Sequence, residues 1–155
     1  AVVARVFVAV LLRFAHILLA IVAIGTNLTY ALWLRIGERD PEHLAYTIRG
    51  IRAIDRHLAN PAYGLLLVTG LAMVFVNGIP LTQGWLLVAL ALYVAAALVG
   101  YFVFGPVVRR ELAALERGGV DNPEYLRFRG RARRLGILTT TVVLIILALM
   151  VTKPF

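Results

Sequence analysis

Four long apolar stretches alternate with polar connections along the chain, and their lengths set the first expectation. Residues 6–34, 61–78, 85–106 and 135–152 are almost uninterrupted runs of apolar residues. Each is close to or longer than the roughly 20 residues that an α-helix needs to cross a 30 Å hydrocarbon layer. The pattern predicts an all-α fold, a bundle of four transmembrane helices forming a single integral membrane domain over residues 1–155. The first run exceeds the requirement by about nine residues, so it is expected to tilt or to project beyond the bilayer. It is also far longer than the apolar core of a signal peptide, and reads as an uncleaved span ending on Tyr30 and Trp33, aromatic anchors for the headgroup level.

The connections differ sharply. Residues 77–80, Asn-Gly-Ile-Pro, form a short uncharged turn between spans two and three. The other two connections are long and each carries a helical pattern. In the first, Asp40 is a candidate cap with Pro41 and Glu42 behind it, and Leu44, Ile48, Ile51, Asp55 and Leu58 follow at spacings of three and four. In the second, Asp121 and Asn122 are candidate caps, and the stripe is Tyr125, Phe128, Ala132 and Leu135, flanked by arginines. Two interfacial amphipathic helices are expected. Aligning Pro41–Tyr46 with Pro123–Phe128 also brings Arg49 onto Arg131 and Arg52 onto Arg134, the pattern of a degenerate tandem repeat of one helical hairpin.

Composition sharpens this reading. Hydrophobic residues make up 61% of the chain and the mean hydropathy is +0.88, well above the roughly 45–50% apolar usage of soluble domains. The net charge of +8 then bears on orientation and anionic lipid rather than on nucleic acid. Five arginines lie between spans one and two and eight between spans three and four, with none in the remaining connection. The positive-inside rule places both basic connections in the cytoplasm of a bacterial inner membrane, and both termini in the periplasm. Arg127, Arg131 and Arg134 form a basic cluster facing anionic lipid. With no cysteine in the chain, disulfides, thiolate metal sites and thiol nucleophiles are excluded.

All eight acidic residues fall in the two basic connections, so no carboxylate is expected within a span to relay protons or bind cations. His16, one turn from Arg13 in the first span, is the main ionisable residue that a span contains, and such residues are functional candidates. Stepping on at helical spacing gives Ala20, Ala23, Asn27 and Tyr30, a small and polar face that should point into the bundle. His16 would either make one hydrogen bond to a Thr or Tyr of another span or serve as the ligand of a haem or another metal. His57 does not suit as a second haem ligand, because His16 lies 18 residues, about 27 Å of helix, from the cytoplasmic end of its span. His43 is farther still. Thr69, Tyr93 and Thr139–Thr141 are expected to bond between helices. Ala91, Ala95, Ala96, Ala97 and Gly100 make span three suitable for close packing.

Several local motifs carry a resemblance: Leu12-Arg13-Phe14-Ala15-His16-Ile17-Leu18 followed by Gly25, Asn60-Pro61 ahead of Leu65–Gly70, Gly105-Pro106 before Arg109-Arg110, and the closing Met150–Pro154. Together they make the chain resemble the small bacterial membrane proteins grouped as domain of unknown function 2269. The resemblance implies a four-helix bundle in a bacterial inner membrane and no established activity. More distantly, the chain is similar to four-helix proteins that include a haem-dependent protoporphyrinogen oxidase and the copper-resistance D type. That likeness implies His16 as an axial cofactor ligand. The oxidase type also has an essential lysine in a later span, whereas the lysine here is Lys153 at the chain's end.

These observations point to a non-enzymatic membrane protein without catalytic residues or a metal cluster, an accessory subunit of a membrane complex or a homodimer. A haem- or metal-binding redox protein using His16 is the alternative. A small-molecule carrier, which would need a polar cavity at mid-membrane, is the third.

Overall fold

A computed structural model describes residues 2–154. It shows α1 (Val2–Gly37), α2 (Leu44–Ile54), α3 (Asn60–Asn77), α4 (Gly84–Val99), α5 (Gly105–Gly118) and α6 (Pro123–Thr152). A π-helical turn, Asp55–Ala59, joins α2 to α3 without a break, and another, Gly100–Phe104, joins α4 to α5. The described chain is thus four long rods, each long and apolar enough to cross a membrane. There is no strand among the described residues.

Both π turns end two residues before a proline, Pro61 or Pro106. A proline inside a helix lacks an N–H and its ring presses on the carbonyl four residues back. Widening the preceding turn by one residue relieves that pressure, and the N–H groups of Asn60 and Gly105 reach back five residues to the carbonyls of Asp55 and Gly100. The helix therefore passes through each proline instead of ending there.

This continuity sets how the two expected amphipathic helices join their spans. Both amphipathic segments exist, but each runs straight on into its span, because nothing between Arg134 and Leu135 breaks α6 and the π turn carries α2 into α3. Their starts also differ. Asn122 caps α6 by accepting the Glu124 N–H at 2.9 Å. Asp40 does not cap α2, since its carboxylate is occupied by the His43 imidazole at 2.8 Å and the helix begins only at Leu44.

The best-packed core lies outside the apolar spans. Leu44 and Ile48 of α2, Leu112, Ala114 and Leu115 of α5, and Tyr125 of α6 are buried together, with Leu34 of α1 against them. The amphipathic stripes of α2 and α6 both pack against α5 and form with it a basic cap at the end of the bundle remote from the termini. Within the spans burial is sparse: in the most apolar stretch of each rod, 6%, 17%, 11% and 0% of residues are buried, in chain order. Close pairing joins α1 to α3 and α4 to α6. Among the described residues α3 and α4 nowhere approach within 8 Å between Cα atoms.

At the termini end a smaller cluster of Val74, Trp85 and Leu86, with Ile79 and Met150, ties the hairpins. Gly78 permits it by taking a left-handed conformation (φ 64°), so that the Ile79 N–H turns back to the Val74 carbonyl at 3.0 Å. An apolar hollow lined by Ala4, Arg5, Val8, Phe75 and Val76 sets Val8 beside the last turn of α3. The first turns of α1 also carry the exposed Val3, Val6 and Phe7.

Candidate functional site

The polar residues of α1 converge on α3. The Nδ1 of His16 lies 2.8 Å from the Thr69 hydroxyl, which is itself 2.8 Å from the Leu65 carbonyl. The Thr69 hydroxyl donates to that carbonyl and so accepts from His16, which places the imidazole proton on Nδ1 and a lone pair on Nε2. The helices can approach here because position 70 is glycine. A Cβ on Gly70 would come 3.1 Å from the imidazole Cε1.

The rest of the expected face behaves likewise. Ala23 is fully buried, the Asn27 amide donates to the Tyr63 hydroxyl, and the Tyr93 hydroxyl of α4 donates to the Tyr63 carbonyl at 2.7 Å. At the cap end of this seam the Tyr30 hydroxyl donates to Asp55 at 3.4 Å and the Asn60 amide to the same carboxylate at 3.3 Å. Sequence reasoning missed this role of Asp55. Its signal was present, since Asp55 is the one polar residue in the α2 stripe. Thr69 and Tyr93 thus bond between helices as expected, whereas Thr139 and Thr141 bond to carbonyls of their own helix.

The structure keeps the other histidines away from His16. His57 donates from Nδ1 to the Ala53 carbonyl at 2.8 Å, and His43 is exposed beside Asp40. Among the described residues no three His, Cys, Asp or Glu side chains gather in a way that could hold a metal ion.

The cap holds a second cluster. Arg129 pairs with Glu38, donates to the Tyr125 hydroxyl at 3.1 Å and lies 6.0 Å from the centre of that ring. Glu111 is buried beside them, only 6% exposed. Burial pushes its carboxyl up to about 7; the nearby Arg129 charge opposes this and the Glu38 charge adds to it. Arg127, Arg131 and Arg134 are exposed on one face of α6, as the helical spacing requires.

Rods, seams and apolar surface define a four-helix integral membrane protein. The chain belongs to the family described as predicted integral membrane protein, DUF2269, whose profile matches residues 10–154. No curated protein and no solved structure matches it.

Proposed function

We propose that this is a non-enzymatic membrane protein that works by associating with another membrane component through α4. A second copy of the chain is the simplest occupant, and helices of a larger complex are the other. The observation that carries this reading is the split of small residues on α4. Trp85, Leu86 and Ala89 face into the bundle, whereas Ala91 and Ala95, one turn apart, are exposed on the opposite side. Lipid satisfies an apolar surface of any shape, but small residues spaced by four let a second helix backbone come close. In this account the basic cap faces the cytoplasm of a bacterial inner membrane and the termini face the periplasm.

Native mass spectrometry of the protein in nanodiscs tests the proposal. The expected result is a mass of two chains, or of one chain with a co-purifying membrane subunit, reduced to a single chain by Ala91→Leu with Ala95→Leu. A wild-type mass of one chain, unchanged in the double variant, would sink the idea.

One observation favours a second reading, in which His16 holds haem or another metal. Its Nδ1 is anchored by Thr69 and Nε2 is left with a lone pair, as in ligating histidines whose other nitrogen is hydrogen-bonded. The residues present supply one such ligand, because His43 and His57 are engaged elsewhere in the cap. His16→Ala is expected to cost about 0.6–1 kcal/mol, the worth of one interhelical hydrogen bond, and to alter no visible spectrum. A Soret band of stoichiometric intensity in wild type, absent from His16→Ala, would establish the second reading instead.

A further inference from the structure

The arginines of the cap fall into two layers. Farther from the spans, Arg49 pairs with Glu116 at 2.5 Å, Arg117 with Glu124 at 3.1 Å, and Arg129 with Glu38. In the turn next to the spans stand Arg35, Arg56, Arg109, Arg110, Arg131, Arg133 and Arg134, all exposed. None of these seven has a carboxylate within 4 Å among the described residues. The two acids at this depth are turned inward, Asp55 onto Tyr30 and Asn60, and Glu111 into the cap core.

The outer surface here is therefore a ring of one charge sign at the level where a bilayer carries its phosphates. Arg109 is aimed accordingly. Its Nη1 lies 3.7 Å from where a Cβ on Gly105 would stand, so the guanidinium folds back one turn toward the membrane across a position with no side chain.

The geometry points to a ring that binds the phosphate groups of anionic phospholipids in the leaflet next to the cap. The two layers divide the work. The paired arginines hold the cap together, while the unpaired ones next to the spans are left for lipid, each contributing on the order of fivefold to headgroup binding near an anionic surface. Arg127 supplies an internal control. It shares a face with Arg131 and Arg134, but it lies about 10 Å farther along α6 from the bilayer than Arg134. This inference goes beyond the association through α4 and does not require it.

The full chain would be placed in nanodiscs of equal phosphatidylglycerol and phosphatidylcholine, and the lipids retained on release would be counted by native mass spectrometry. Wild type is expected to keep the anionic lipid over the zwitterionic one by about tenfold or more. Replacing Arg109, Arg131 and Arg134 together by Gln should remove most of that preference, the same three changed to Lys should retain it, and Arg127→Gln should leave it within about twofold. Equal retention of both lipids by wild type, or an undiminished preference in the triple Gln variant, would overturn the proposal. So would displacement of the lipid by millimolar inorganic phosphate, which would make the ring a site for free phosphate. The same spectra report how many chains travel together, so failure of the α4 association is read separately.

Discussion

Replacing Glu111 by glutamine is expected to stabilise the protein above neutral pH and to change little at pH 4. The folded cap raises this carboxyl from 4.5 to about 7, so folding favours its protonated form. The stability that Glu111 contributes is complete below pH 4.5 and is lost as the pH rises through 7. A rise of that size corresponds to roughly 3 kcal/mol, and at 6% exposure little solvent is available to reduce it. Glutamine keeps the shape without the charge, and it leaves the Glu38–Arg129 pair intact. Thermal unfolding in detergent should show wild type losing stability between pH 5 and pH 8 by more than Glu111→Gln does. Parallel pH profiles for the two proteins would show that the cap does not hold this carboxyl away from water.

The second large effect is expected at Tyr125, which is 1% exposed at the centre of the cap core. Tyr125→Ala should cost about 3–5 kcal/mol, as truncation of a fully buried aromatic side chain does. Tyr125→Phe removes only the hydroxyl that accepts from Arg129 and should cost about 1 kcal/mol. Phe75→Ala, on a side chain 71% exposed within span two, should have a small effect by comparison. This ordering distinguishes a protein stabilised in its cap from one stabilised along its spans. A Phe75→Ala loss as large as that of Tyr125→Ala would contradict the packing described here.

The spans were legible because hydropathy over some twenty residues depends little on tertiary context. The inward face of α1 was legible for a similar reason, since His16, Ala23, Asn27 and Tyr30 follow the helical period and polar groups in a span seek partners. The core of the cap was not. Leu44, Ile48, Tyr125 and Phe128 were visible as two apolar stripes, but a stripe does not say whether it meets lipid or another stripe. Both met α5, because α2 and α6 run on into their spans and so stand up from the bilayer beside it. Asn60-Pro61 read as the start of the second span and Gly105-Pro106 as the point where the third passes into a polar helix, and a single widened turn at each lets the helix continue. Asp55 looked like a flaw in its stripe until Tyr30 was found opposite it. Thr139 and Thr141 failed as interhelical groups because a threonine hydroxyl on a helix can always reach the carbonyl four residues back.

The association through α4 can be tested directly because the chain contains no cysteine, so a single introduced thiol reports one position without background. Ala95→Cys lies on the outward face and Ala89→Cys on the inward one. Under mild oxidation in native membranes, Ala95→Cys is expected to form a disulfide-linked dimer and Ala89→Cys to remain monomeric. If both stay monomeric while the wild-type protein has the mass of a single chain with no partner subunit, α4 faces lipid alone and the proposed association is wrong.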